Sequence, residues 1–380
     1  MLLKPLLLAQ CLFAFVSGAE QQAELVVPIN KKVGPLKLAN GTVSFDALFS
    51  HLDYVKTKYA RAKLPANSGT DSEKRLIAKR QTTVIPLTPE ETDEWWSAAV
   101  TVGTPGAPLL FDFDTGSADT IAAHSDYDPA KSSTSRDTGL KFEMSYGGGQ
   151  TASGPIFTDV FQLGNLKVKN ATIGRSSDNQ LQGQVIAGLG PIEGAEFATA
   201  SPLWKTLLTA GQLAQPFFTF KLGKGPVGSQ LTFGASAPDA FYVDTIQSHP
   251  WNFYWAVPSK VIDVEFKAII DSGTSFLVAD PAFALKVFKR LGIRHFVQEG
   301  AYFGYHNCKK PPKLTMSFGE KTVAFDPTTL DIGTTDSGDC VLGFIGEDLG
   351  LGDSVVIAGD TLFRNSVISF DLARLRVGFS

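Results

Sequence analysis

Phe113-Asp114-Thr115-Gly116-Ser117 and Ile270-Asp271-Ser272-Gly273-Thr274 are one phrase written twice, their aspartates 157 residues apart. In each copy an apolar run leads into an aspartate, which a hydroxyl residue and a glycine follow. A lone Asp-Thr-Gly is ordinarily a surface turn. Two copies behind apolar strands, spaced by about one lobe, predict that each half of the molecule delivers one carboxyl to a shared centre.

The repetition extends beyond the aspartates. Ile186-Ala187-Gly188 follows the first copy and Ile357-Ala358-Gly359 the second, so each Asp-bearing strand is expected to pass near a later apolar strand that ends in glycine. From Gln81 onward, strand-like segments alternate with turns, among them 96–102, 109–113, 157–163, 231–233, 268–270, 314–318 and 367–370. Two helices are punctuated by a capping side chain, a first-turn proline and a closing glycine: Ser201-Pro202 to Gly211, and Asp280-Pro281 to Gly292. The fold class expected is all-β, two related lobes with a cleft between them and few short helices. The join falls near residues 216–221, giving lobes 81–217 and 218–380. The Gly-x-Gly-x-x-Gly match at 223–228 holds Pro226 and precedes a strand, so it reads as a turn and not as a dinucleotide loop.

Three segments follow from the ends and the charge. Lys4, the apolar stretch 6–16 and Ser17-Gly18-Ala19 read as a secretory leader, 1–19. Lys79-Arg80 is a dibasic processing candidate that would close a pro-segment, 20–80. That segment carries a net charge of +5, whereas residues 81–380 carry −10 of the chain's −4 total. A basic leader on an acidic body suggests an electrostatically held inhibitor. Ser44 can cap a helix whose apolar face is Phe45, Leu48, Phe49, Leu52, Val55 and Tyr59, so that the helix docks while lysines meet carboxylates. An acidic body also argues against nucleic-acid binding, and no further run long enough to span a membrane is present, so an exported chain with no membrane partner is expected. A monomer is expected.

Cys11 leaves with the leader. Cys308 and Cys340 remain, an even pair in an oxidising compartment. One disulfide is the direct reading and two buried thiols the alternative; a metal site has little support, since His306 is the only nearby histidine. Asn170-Ala171-Thr172 and Asn40-Gly41-Thr42 are glycosylation acceptors in principle.

These features together resemble the pepsin-like aspartic endopeptidases, most closely the fungal secreted members. The likeness spans residues 83–380. It includes Thr101-Val102-Gly103-Thr104-Pro105, Tyr127-Asp128-Pro129, the Tyr146 segment and Gly359-Asp360-Thr361-Leu362-Phe363. The resemblance implies a bilobal pepsin-like fold, a pro-segment acting as inhibitor, and cleavage of a protein or peptide substrate by Asp114 and Asp271 around a shared water, without metal or cofactor. It implies that Thr115 and Ser272 lock the two loops across the centre, that Ser117 and Thr274 hydrogen-bond the outer carboxylate oxygens, and that Cys308 and Cys340 form a disulfide. Gly116 and Gly273 let amides approach the carboxylates. Tyr146, Gly147 and Gly148 would form a mobile lid over bound peptide, with Gly116, Gly273 and Thr274 also lining the substrate path. Two departures concern specificity: Ile121 stands where a tryptophan usually supports the lid tyrosine, and Gly148 stands where a carboxylate in some relatives selects lysine beside the scissile bond, so an apolar preference is expected there. Asp112 lies on the same side of its strand as Asp114, touching the cleft without a catalytic part.

Competing readings are weaker. An inactive binding protein of the same fold would ordinarily have lost one of these elements. A two-carboxylate glycosidase seldom sets its acids in repeated Asp-Thr/Ser-Gly turns, and the absence of a Gly-x-Ser-x-Gly motif argues against a serine hydrolase.

Overall fold

A computed structural model of the chain describes residues 36–59, 82–86, 88–90, 95–145, 151–177, 185–197, 202–223 and 228–380. The leader, Lys79-Arg80 and the lid residues Tyr146, Gly147 and Gly148 lie outside them.

The architecture is all-β and bilobal. An eight-stranded sheet holds the first half and a ten-stranded sheet the second. The Ile-Ala-Gly repeat has the expected structural counterpart. Strand Ala107–Asp114 runs parallel to Val185–Gly188, aligning Phe113 with Ala187 and Asp114 with Gly188. Strand Val264–Ile270 runs parallel to Val355–Ala358, aligning Ile270 with Ala358. Both later strands also pair antiparallel with a short strand that follows the motif, Thr120–Ala123 or Leu277–Ala279. Near-continuous apolar runs suit strands buried on both faces: Phe111, Phe113, Ile269, Ile270, Ile357 and Ala358 are all fully buried.

A third sheet of six strands joins the halves. It sets Thr83–Pro86 beside Gln230–Phe233, then Phe217–Lys221, then the C-terminal strands Ile368–Asp371 and Arg376–Phe379. The expected join thus falls at the start of a strand inside this shared sheet. Phe218 stacks on Phe370 there, with ring centres 4.5 Å apart.

Helix α1 spans Phe45–Tyr59, α2 Leu203–Thr209 and α3 Pro281–Leu291. The Asp280 carboxylate caps α3 by accepting from Phe283 N at 2.9 Å, and Gly292 closes it at φ 66°. Ser44 enters α1 through its carbonyl, which accepts from Leu48 N. The apolar stripe of α1 is sunk into a second core: Leu48, Leu52 and Val55 are fully buried against Phe276, Val278, Phe303, Ile345 and Ile357. Each such side chain contributes on the order of 1.5–3 kcal/mol through burial. Ahead of α1, Val43 N donates to Thr334 O and Thr334 N to Gly41 O, both at 3.0 Å, stitching the segment to the second lobe. Cys308 and Cys340 form a disulfide. Asn170 is exposed, with φ 59°.

Candidate active site

Asp114 ends a buried strand and Asp271 directly follows one, and the turn behind each bends over the opposite turn. The Thr115 hydroxyl donates to Ile270 O (2.8 Å) and accepts from Ser272 N (2.9 Å). The Ser272 hydroxyl donates to Phe113 O (2.6 Å) and accepts from Thr115 N (3.0 Å). Four reciprocal bonds therefore fix the two loops to one another. Gly116 N donates to Asp114 Oδ1 at 2.8 Å, and Gly273 N to Asp271 Oδ1 at 3.0 Å. Both glycines also face the opposite acid: a Cβ at Gly116 would collide with the Asp271 carboxyl, and one at Gly273 with that of Asp114.

The two carboxyls meet on a single cation. Lys58 Nζ, from the last turn of α1, lies 2.6 Å from Asp114 Oδ1 and 2.7 Å from Asp271 Oδ1. Next to it, the Tyr59 hydroxyl donates to Asp271 Oδ2 at 2.9 Å. Both acids are fully buried. Burial alone would lower the Lys58 pKa, but the two carboxylates override it and hold the ammonium well above the usual lysine range. Burial and the charge of Asp271 likewise hold the Tyr59 phenol neutral, well above its ordinary value.

The acids are inequivalent. Burial, with help from the Asp271 charge and against the pull of Lys58, raises Asp114 to about 6. Asp271 is equally buried, yet the charge of Lys58 and the hydrogen bonds from Lys58 and Thr274 hold it down at about 2. The donors explain the difference: Asp271 receives Gly273 N, Lys58, Tyr59 and the Thr274 hydroxyl (2.5 Å). Asp114 receives Gly116 N and Lys58 on Oδ1, and its Oδ2 has no partner among the described residues. The pair is built to hold one proton between those limits.

The Thr274 hydroxyl thus contacts the outer oxygen of its aspartate, whereas that of Ser117 does not. The Ser117 hydroxyl is buried without a partner among the described residues; the anchoring of Asp114 falls on its Oδ1 side instead. Behind the pair lie two more buried carboxyls, Asp112 and Asp360. Burial, then the charges of Asp112 and Asp271, push Asp360 well above the carboxylate range, while its own N–H donates to Thr274 O at 2.7 Å. Ile121 is buried in its strand.

Sequence reasoning missed Lys58 and placed Tyr59 merely on an apolar face. The charge excess of the leader was a collective signal that did not single out either residue. His51, one turn earlier than Val55, was also missed: its Nε2 accepts from Ser275 N at 3.1 Å.

Two related β lobes that bring one Asp-Thr/Ser-Gly loop each to a common buried centre are the architecture of an aspartic-type endopeptidase. The family model of the eukaryotic aspartyl proteases matches residues 96–380. The chain is 29% identical to secreted aspartyl protease 1 of Malassezia globosa, covering 97% of this chain and 96% of that one. It is 30% identical to syncephapepsin of Syncephalastrum racemosum (83% and 84% covered) and 28% to rhizopuspepsin-1 of Rhizopus niveus (90% and 91%). The chain belongs to the eukaryotic aspartyl protease family.

Proposed function

We propose that the protein is a secreted acid endopeptidase, made as a zymogen, in which Asp114 and Asp271 activate one water between them. The observation that carries this reading is the convergence of both carboxyls on one ammonium: a site that holds a cation between two acids has room for a polarised water in the same place. With Lys58 gone, two buried carboxyls share one proton in acid. The ionised member takes a proton from the water, which attacks the peptide carbonyl. The protonated member hydrogen-bonds the carbonyl oxygen as charge develops on it, and the leaving nitrogen is then protonated. The cross-loop bonds of Thr115 and Ser272 keep the carboxyls from separating during this cycle, and Tyr146 with Gly147 and Gly148 closes over the substrate.

In this reading residues 1–19 are the export leader, 20–80 the pro-segment, and 81–217 and 218–380 the catalytic lobes, with processing at Lys79-Arg80. Export is supported by the leader pattern and by the name of the Malassezia relative; among the described residues no helix is long and apolar enough to cross a membrane. Latency is supported by α1 standing on the aspartates. The test is turnover of denatured haemoglobin at acid pH by the processed chain. Cleavage, blocked by a pepstatin-like transition-state mimic and abolished in Asp114→Asn with the fold retained, is the expected result. An Asn variant as fast as wild type would overturn the mechanism.

A further inference from the structure

The dyad is not the only carboxylate site that α1 covers. Glu347 follows strand Cys340–Gly346, and its N–H donates to Ala279 O at 2.7 Å. Ala279 ends strand Leu277–Ala279, which begins three residues after Thr274, so the framework that carries the second aspartate loop also fixes Glu347. The Glu347 side chain is only 8% exposed. Its Oε1 meets Lys56 Nζ at 3.0 Å, and its Oε2 is buried with no hydrogen-bond partner among the described residues.

Two neighbouring acids share the same small hollow, and both are engaged by backbone. Asp280 accepts from Phe283 N and Ser354 N, and Asp348 from Gly350 N. Glu347 instead has its charge answered by the segment ahead of Arg80. Apolar side chains also border it: Ile345 and Leu349 belong to the core that receives Val55. A charge pair there is stronger than one in water, and a lone charge is correspondingly costly.

Lys56 precedes by two residues the lysine that occupies the dyad. Side chains two apart on a helix leave on different faces, so α1 meets the dyad and Glu347 at two separate points of the surface it covers. Lys56 is itself 36% exposed, so the pair lies at the rim of the covered surface, where a passing chain can reach it. Removing α1 takes the counter-ion away and uncovers the carboxylate. We propose that Glu347 forms a subsite of the mature cleft for a lysine or arginine of the substrate at a position flanking the scissile bond, and that Lys56 fills this subsite in the latent form. The proposal rests on the endopeptidase reading above. It adds a basic preference at a flanking position and leaves the apolar preference beside the scissile bond intact.

The test uses the processed chain and a peptide set with apolar residues on both sides of the cleaved bond. Lysine or norleucine is placed in turn at each flanking position, and kcat/KM is measured for each pair. One position should favour lysine by about tenfold or more, the scale of a charge-assisted bond in an enclosed site. The lysine-to-norleucine ratio at that position should collapse in Glu347→Gln, persist in Glu347→Asp, and shrink as salt is raised. A wild-type ratio near one at every position overturns the proposal, and this readout needs no variant to fold. An unchanged ratio in Glu347→Gln also overturns it, even if that variant binds an added peptide of residues 36–59 more weakly, because Glu347 would then serve latency alone. Failure of the wild-type enzyme to cleave any peptide would instead refute the endopeptidase reading.

Discussion

Gly116 and Gly273 are the residues at which the centre tolerates least change. Their missing side chains leave the gap through which each loop approaches the opposite acid: a methyl at Gly273 would lie 2.6 Å from Asp114 Cγ and 2.8 Å from Lys58 Nζ. In the processed enzyme, Gly273→Ala must push the carboxyls apart, and a shift of about 1 Å in a reacting group can cost on the order of 100-fold in rate. We expect kcat on a fixed peptide to fall by about that factor with an unchanged circular dichroism spectrum; a wild-type kcat would show that the approach does not matter. Ser272 makes a different prediction, on stability. Ser272→Ala orphans Phe113 O and Thr115 N, both inside the protein, and such orphans cost about 1–3 kcal/mol each. Urea unfolding should therefore show a loss of about 2–6 kcal/mol, most of it recovered in Ser272→Thr, which keeps the hydroxyl. The aspartates and their hydroxyl neighbours could be read in advance because the phrase occurs twice, and repetition removes the ambiguity of a single turn. Lys58 could not be, because a lysine in the last turn of a helix ordinarily complements the helix dipole in solvent; only the element it faces reveals its role.

α1 is held by shape before charge. Leu52 is fully buried in the core shared with Phe276, Phe303 and Ile345, and truncating such a leucine costs about 2–5 kcal/mol. A peptide of residues 36–59 carrying Leu52→Ala should therefore inhibit the processed enzyme at least about 30-fold more weakly than the wild-type peptide. Equal inhibition constants would place the grip elsewhere. The helix and its apolar face were legible in the sequence because period 3.6 is a local property. The parallel pairing behind each aspartate was legible for another reason, the echo of Ile-Ala-Gly. The sheet that joins the halves had no such trace: Phe217–Lys221 pairs with Ile368–Asp371 across about 150 residues, and nothing local in either strand names its partner. Local pattern specifies elements, whereas pairings across the chain are chosen by which apolar faces remain to be covered.

At the scale of the whole molecule, a basic segment lies on an acidic body, and among the described residues it does so at three points: Lys37 on Asp331, Lys56 on Glu347, and Lys58 on the dyad. The dyad sets its own limit on when acid can loosen that contact. Asp114, raised to about 6, contributes stability relative to the unfolded chain that is lost as pH rises through 6. Asp271, held at about 2, has the opposite sign: its contribution is full above the ordinary aspartate value of about 4 and is lost as pH falls from there toward 2. Between those limits Lys58 faces one proton and one negative charge, a balanced cluster. Protonating Asp114 near pH 6 therefore does not break the contact, because Asp271 still carries the charge that Lys58 needs. Inhibition of the processed enzyme by the peptide of residues 36–59 should persist at about pH 5 and weaken steeply between about pH 4 and 2, as Asp271 takes up its proton. Inhibition constants measured across that range decide the matter. Release with a midpoint near pH 6 would mean that Asp114, not Asp271, holds the ammonium, and the asymmetry drawn from their hydrogen bonds would be reversed.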